Sequence, residues 1–242
     1  MNSTLPPISE VWVYLSGSPL LALVLTLSAY LLGLTLYERS DRNPLANPVL
    51  IAVILVSLSI NLLEMPYVKY FEGAQFVHFL LGTATVSLAI PIYKGFASLK
   101  GRMGVLLLSL LAGGITSVLT AVGMARWLVV DEALVRGLVA KSVTAPIAMG
   151  VAERVQASPT LTAIFAVSTG ILGAVLGRYV LDALRVTAWW QRGFALGVAA
   201  HGIGTSRAFS VNAEAGAYAS LGMGLHGIAG AMLIPYAVAW WF

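Results

Sequence analysis

The chain has 242 residues, of which 59% are hydrophobic and 10% are charged, and its mean hydropathy is +0.88. Because a soluble domain carries roughly 25% charged residues, this composition excludes a soluble globular protein. The net charge of +4 is spread over short loops with no basic run, which excludes nucleic acid as a partner. The chain has no cysteine, so disulfides, iron–sulfur clusters and thiolate zinc sites are excluded as well.

Apolar runs of about 20 residues recur along the whole chain, which is the length that crosses a lipid bilayer as a helix. We therefore predict an all-α, polytopic integral membrane protein that forms a single transmembrane domain over residues 1–242. The predicted membrane segments are 19–37, 48–64, 75–93, 103–125, 134–151, 160–181, 191–210 and 216–241. The second, third and fifth of these are short or interrupted, which is typical of broken or re-entrant helices that line a cavity.

Three glycine-rich segments repeat at a constant spacing of 57 residues. They are Gly113–Leu119, Gly170–Leu176 and Gly227–Leu233. The spacing predicts three tandem hairpins at 78–126, 136–182 and 192–240, each a polar-interrupted helix followed by a glycine-rich helix that packs closely on its neighbours. The alternative is a chance alignment of glycines in an Ala/Leu/Val background.

Three polar stretches, at 82–91, 141–146 and 201–207, interrupt the apolar segments, and each combines a helix breaker with hydroxyl side chains. A broken helix exposes backbone N–H groups and a positive dipole end, both of which suit an anion. Lys141 and Arg207 add full positive charges, and an arginine can bind a carboxylate through two hydrogen bonds. The pattern therefore predicts a site for a small carboxylate.

An ionisable group at membrane depth costs at least about 2.5–3.5 kcal/mol, so it normally has a partner, a water-filled cavity or a function. We expect the stretches around Thr85, Thr144 and Gly204 to converge near the bilayer midplane on one cavity. The candidate substrate-binding residues are Thr83, Thr85, Lys141, Ser142, Thr144, Pro146, His201, Gly202, Gly204, Thr205 and Arg207.

Each candidate also has a structural interpretation. Hydroxyls in membrane helices commonly bond to a carbonyl of the preceding turn, prolines kink helices, and Arg207 could extend to the interface. His201 titrates in the physiological range and is predicted to carry a coupling proton, although a buried structural histidine fits the pattern equally well. His226, on a glycine-rich helix, is interpreted as structural.

Sequence signatures of enzymes, metal sites and cofactor sites are absent. The chain has no G-x-S-x-G elbow, no H-E-x-x-H and no P-loop lysine motif. We therefore predict a protein that is not an enzyme and that uses no cofactor and no metal. Because no cluster of intramembrane aspartates is present either, we predict transport without a sodium requirement.

At these motifs the chain resembles the LrgB/CidB family of bacterial membrane proteins, whose plant relative is the plastid glycolate/glycerate translocator. The matching residues are Asn47-Pro48, Tyr70 to Ala74, Leu81 to Pro91, Lys141 to Ala148, Thr169 to Ala174 and His201 to Ala208. The chain departs from the family pattern at Thr83 and Ala140, where the family usually has proline. Both changes make a break in the helix less pronounced, because threonine and alanine keep the backbone N–H that proline lacks.

The resemblance implies a multi-pass protein of the bacterial inner (plasma) membrane and allows two functions. One is a carrier of small monocarboxylates or 2-hydroxy acids such as glycolate, glycerate or pyruvate, working by proton-linked transport or exchange. The other is an antiholin- or holin-like regulator of murein hydrolase export and cell lysis, acting with a small LrgA/CidA-type membrane partner. A homo-oligomer is compatible with both. We favour the carrier, because a holin-like scaffold does not need buried charges beside broken helices.

Overall fold

The computed structural model describes residues 19–87, 90, 93 and 101–241. In this part of the chain it contains nine α-helices and no β-strand. They are α1 (Pro19–Arg39), α2 (Pro48–Leu62), α3 (Tyr67–Ser87), α4 (Met103–Trp127), α5 (Glu132–Leu138), α6 (Ala145–Arg154), α7 (Pro159–Ala183), α8 (Trp189–Val211) and α9 (Ala213–Trp241). The prediction of an all-α protein is confirmed.

Four of these helices, α1, α4, α7 and α9, are long and apolar enough to cross a membrane. The 25 residues of α4 and of α7 each extend about 38 Å, which exceeds the roughly 30 Å hydrocarbon core of a bilayer. The predicted segments correspond in order to the helices, with 134–151 divided between α5 and α6. The chain is therefore a polytopic helical membrane protein, as predicted.

The third predicted segment was placed too late. It was expected at 75–93, whereas α3 begins at Tyr67, directly after Pro66. The first turns of α3 carry Lys69 and Glu72, both exposed, and their polarity hid the start of the helix from an argument based on hydropathy.

The chain divides after Ser87 into two compact units. In the first unit, α1 contacts both α2 and α3. Gly73 of α3 lies against the backbone of Pro19, and the Tyr70 hydroxyl forms a 2.8 Å hydrogen bond with Thr26 Oγ1. The second unit contains α4 to α9 and the two interrupted stretches that carry Lys141 and His201.

Residues 139–144 separate α5 from α6, so the predicted break at this stretch is confirmed. Asp131 caps α5 by accepting a hydrogen bond from the Ala133 N–H, and Pro146 lies in the first turn of α6. Proline fits there because the first N–H groups of a helix have no intrahelical partner. Pro146 therefore begins a helix rather than kinking one.

The α5–α6 segment is re-entrant. Gly137 of α5 lies against Thr162 and Phe165 in the first turns of α7. Lys141 reaches further along α7, where it lines a cavity together with Thr169. From there α6 packs back along α7 and ends only a short loop before α7 begins. The chain thus enters along α5, turns at 139–144 and returns along α6.

The helix α8 reverses direction at His201, whose backbone has φ 40° and ψ −130°. The Leu196 carbonyl oxygen lies only 2.6 Å from the position that a Cβ of Gly204 would take. In a straight helix, residues eight positions apart are separated by about 12 Å. The two halves of α8 therefore fold back on each other, and His201 forms the tip of a second re-entrant hairpin. A non-glycine residue at such a φ costs about 1–3 kcal/mol, which the surrounding packing must offset.

The described part of the first polar stretch, residues 82–87, is helical, and the break predicted within 82–91 stays a prediction. The helix α3 continues through Thr83 to Ser87. The Thr83 hydroxyl donates to the Leu80 carbonyl, and the Ser87 hydroxyl donates to the Thr83 carbonyl. Threonine keeps the N–H that the usual proline lacks, so nothing at this position ends the helix. The Thr85 side chain and Pro91 lie outside the described residues.

Candidate functional site

Lys141 lies in the turn between α5 and α6, and its ammonium contacts two hydroxyls. Its Nζ donates to Ser117 Oγ of α4 at 2.7 Å and to Ser142 Oγ at 3.3 Å. The two serine oxygens are 2.7 Å apart. We call these three side chains the Lys141 cluster.

The Lys141 cluster lies at middle depth along α4. Ser117 is about 21 Å along the helix axis from Met103 and about 15 Å from Trp127, at 1.5 Å per residue. The hydrogen bond to Ser117 therefore holds the ammonium far from both helix ends. Lys141 is therefore not a side chain that extends to the membrane interface.

The Lys141 ammonium has no acidic partner in the described part of the chain. The ion pairs found there join Arg136 to Glu132, and Arg178 and Arg192 to Asp182. Lys141 is half-buried and is stabilised by hydroxyl oxygens alone. A cation that has lost water without gaining a counter-ion is an attractive position for an anion.

A cavity of about 760 Å³ opens beside the cluster, between α4, α7 and α8. Lys141 is the one charged residue that lines it among the residues described. The other polar lining side chains are Ser109, Ser117, Ser142, Thr169 and Gln191. The remaining wall is aliphatic, aromatic or glycine, so the positive charge of the described wall lies where Lys141 projects.

This arrangement matches one carboxylate group. The ammonium can donate to a carboxylate oxygen, and a serine hydroxyl that accepts from Lys141 keeps its own O–H to donate as well. A second carboxylate on the same ligand would find no second cation among the described lining residues. The chemistry of the cavity therefore suits monoanions better than dianions.

The second tip meets α7 at the same level as the first. His201 Nε2 is 2.7 Å from the Ala166 carbonyl oxygen, and its ring lies against Gly170. The second tip thus contacts α7 at Ala166 and Gly170, and Gly170 is about 16 Å from the start of that helix. Lys141 of the first tip lines the larger cavity together with the neighbouring Thr169. The two tips therefore lie beside neighbouring turns of α7. The predicted convergence of the stretches around Thr85, Thr144 and Gly204 on one cavity stays a prediction.

The candidates of the second tip do not line the two cavities described here. Gly202, Gly204, His201 and Arg207 are absent from both walls. The Thr205 hydroxyl donates to the His201 carbonyl at 2.8 Å and lies 3.8 Å from Met223 Sδ of α9. The second tip therefore packs α7, α8 and α9 together, and a direct role in binding stays a prediction.

Thr144 and Pro146 lie beside the Lys141 cluster without lining either cavity. The Thr144 hydroxyl is buried at the N-cap of α6 and has no hydrogen-bond partner among the described residues. Pro146 is exposed. Their contact with a substrate also stays a prediction.

A smaller cavity of about 250 Å³ lies on the adjacent face of α4 and contains His226 of α9. Ser117 and Ser142 line both cavities. Gly114 leaves the space for the histidine, since a Cβ there would lie 3.1 Å from His226 Cε1. Ser117 and His226 were not predicted as site residues, because their glycine-rich surroundings indicated packing alone.

The family model of the LrgB-like proteins matches residues 26–240, a range that includes both re-entrant tips and both cavities. The chain belongs to the LrgB-like family. It is 34% identical to the uncharacterized protein YwbG of Bacillus subtilis over 91% of this chain and 97% of that one. It is 30% identical to YxaC of the same organism over 92% and 96% of the two chains.

The holin-like protein CidB of Staphylococcus aureus (strain N315) is 27% identical to this LrgB-like chain, over 90% of the chain and 95% of CidB. No solved structure matches. The family, the predicted helical membrane class and the resemblance stated from the motifs therefore agree.

Proposed function

We propose that this LrgB-like protein is a carrier of small monocarboxylates, such as glycolate, glycerate or pyruvate, across the bacterial inner membrane. The observation that supports this most is the Lys141 ammonium. It lies at mid-helix depth on the wall of a 760 Å³ cavity, bonded to two hydroxyls and to no carboxylate of the described residues. Two re-entrant tips at the same level are typical of a transport site.

The cavity volume fits such acids with water around them. A small acid of about six non-hydrogen atoms occupies roughly 180 Å³ if each atom takes the approximately 30 Å³ share of a water molecule. The cavity therefore accommodates the acid and several waters.

Uptake of an anion works against an inside-negative potential at about 2.3 kcal/mol per charge per 100 mV. Transport therefore requires a co-transported proton or exchange for another acid.

The test is uptake of labelled pyruvate or glycolate by sodium-free proteoliposomes that contain this protein alone. We expect saturable uptake that protein-free liposomes lack, with competition by other monocarboxylates and little competition by succinate. Uptake that needs sodium would overturn the coupling, and the absence of any uptake or exchange would overturn the carrier.

The name of the holin-like protein CidB supports a second function, a holin-like regulator. The family resemblance implies that such a regulator acts with a small LrgA/CidA-type membrane partner. This function predicts that purified protein moves no acid by itself. It also predicts that a Lys141→Met variant still restores control of lysis in cells that lack the wild-type gene. The carrier predicts the opposite outcome in both experiments.

The Ser117→Ala substitution tests whether the cluster binds the substrate. We expect KM for pyruvate to rise by roughly tenfold to a hundredfold with little change in thermal stability, because a hydrogen bond to a charged group contributes about 1.5–3 kcal/mol. Ser109→Ala is the matched control, since Ser109 lines the same cavity but does not contact Lys141. Equal KM values for the two variants would contradict the role of Ser117.

Arg207 lies on the returning half of α8 and is half-buried. If its guanidinium binds the carboxylate at some stage of transport, Arg207→Met lowers kcat/KM by about tenfold to a hundredfold, and Arg207→Lys is impaired as well. Uptake assays with Arg178→Met as control check this, because Arg178 is an exposed arginine on α7. Normal transport by both Arg207 variants would remove it from the site.

A further inference from the structure

The geometry points to His226 as the residue that carries the coupled proton, next to the carboxylate site and connected with it through Ser117 and Ser142. This inference rests on the proposed function and concerns the same site. It reassigns the proton from His201, where the sequence placed it, to a side chain of α9 that the sequence indicated as structural.

The position of His226 is fixed by three glycines on two helices. Gly114 of α4 receives the imidazole ring, as described above. On α9, Gly227 lies against the Ile147 side chain and Gly230 against the Val143 side chain. The α9 turn that begins at His226 therefore faces both α4 and the 142–147 segment.

The two cavities lie on adjacent faces of α4, and Ser117 marks the edge between them. Leu106, Ser109 and Gly113 line the larger cavity, whereas Leu110, Gly114 and Val118 line the smaller one. Ser117 and Ser142 belong to both walls. A proton on His226 is therefore separated from a carboxylate on Lys141 by two hydroxyls, which can each accept and donate a hydrogen bond.

The two buried histidines differ in their partners. The His201 ring is bonded to the Ala166 carbonyl and lines neither cavity. Among the described residues, the His226 ring has no hydrogen-bond partner, and it faces the smaller cavity. His226 can therefore exchange a proton with water in that cavity without breaking a bond that holds two helices together.

The charges around His226 supply the coupling. Lys141 of the α5–α6 turn bonds to Ser117 and Ser142, which line the cavity that His226 faces, and His201 lies at the tip of α8. The facing α4 segment contributes the Ser117 hydroxyl but no charged residue, and the neighbouring turns of α9 contribute none. With the cavity empty, the Lys141 charge opposes a second positive charge on the imidazole. A bound carboxylate compensates Lys141, so proton and acid bind more tightly together than apart.

The proposed step is a proton transfer without covalent chemistry. A proton from the external solution reaches His226 through water in the smaller cavity when the carboxylate binds at Lys141, and the proton and the acid are both released to the solution on the other side. One negative and one positive charge move together, so the transported complex is electrically neutral.

The experiment compares wild type with His226→Gln and His201→Gln in sodium-free proteoliposomes with labelled pyruvate. An inward gradient of one pH unit can drive up to about tenfold accumulation of an acid that is carried with one proton. We expect wild type to accumulate pyruvate under this gradient and His226→Gln to reach no more than the equilibrium level, while His201→Gln shows whether accumulation depends on the other buried histidine. Exchange of internal for external pyruvate at equal pH should persist in His226→Gln, because it needs no net proton movement.

Three results would overturn the inference. Gradient-driven accumulation by His226→Gln at the wild-type level excludes His226. Loss of accumulation in His201→Gln alone returns the proton to His201. Exchange by wild type without any response to the pH gradient excludes proton coupling but leaves the carrier intact, whereas absence of both activities in wild type overturns the carrier itself.

A second measurement decides the case in which His226→Gln loses exchange as well. The chain has three histidines, so a His78→Gln/His201→Gln background leaves His226 alone for nitrogen NMR with labelled histidine. We expect added pyruvate to convert its resonance toward the imidazolium form at a fixed pH near 7. A resonance that does not respond to pyruvate overturns the inference whatever the transport of His226→Gln.

Discussion

Replacing Lys141 by methionine is expected to abolish monocarboxylate transport and to leave a folded protein. An ion pair at about 4 Å contributes roughly 4 kcal/mol at an effective dielectric constant of about 20, so kcat/KM should fall by about a thousandfold. Methionine retains a long flexible side chain and removes a charge that costs free energy to place at membrane depth. The folded state should therefore tolerate the change. The measurement is uptake by proteoliposomes with equal amounts of each variant.

The matched control is Lys69→Met, which makes the same chemical change at an exposed position of α3. It should transport at the wild-type rate. The apparent melting temperature of Lys141→Met in detergent should equal or exceed that of wild type, which separates loss of binding from loss of structure. Near-normal uptake by a well-folded Lys141→Met protein would refute the proposed site.

Much of this site could be predicted from local sequence, because a broken helix is a local event. Proline at 146 acts on its own backbone, and a lysine or histidine inside an apolar run is visible without a fold. The predicted breaks at 141–146 and 201–207 are therefore confirmed. The break predicted within 82–91 stays a prediction, since α3 is helical to Ser87 and Pro91 lies outside the described residues.

The partners of the cluster could not be predicted, because they come from other hairpins. Ser117 is 24 residues from Lys141 in the chain, and it lies inside a glycine-rich motif whose spacing indicates packing. Only the arrangement of α4 against the α5–α6 turn shows that its hydroxyl contacts the ammonium. The same holds for His226, whose role depends on which face of α9 meets Gly114. Hydropathy and spacing do not determine that rotation.

The reversal of α8 could not be predicted from the sequence either, although the sequence shows the residues that interrupt this helix. A glycine-containing interruption is compatible with a kink, a gap or a full return of the chain. The return of the chain is determined by the helix that packs beside it, α9. The first half of α8 runs alongside α9, with Gly193 against Ala215 and Gly197 against Ala219, so the chain must come back before α9 begins.

The close contact of Gly197 in α8 with Ala219 in α9 gives the substitution with the largest expected effect on stability. Gly197→Ala should lower the apparent melting temperature of the detergent-solubilised protein, because its Cβ would overlap the Ala219 main chain. Backbone has little freedom to yield, and overpacking of this kind costs about 1–3 kcal/mol or more.

Gly123→Ala is the matched control, since nothing in the described structure lies within 4 Å of its added Cβ. There alanine should stabilise α4 by up to about 1 kcal/mol through its higher helix propensity. The two identical substitutions should therefore shift the melting temperature in opposite directions, and a Gly197→Ala protein as stable as wild type would contradict the packing of α8 on α9.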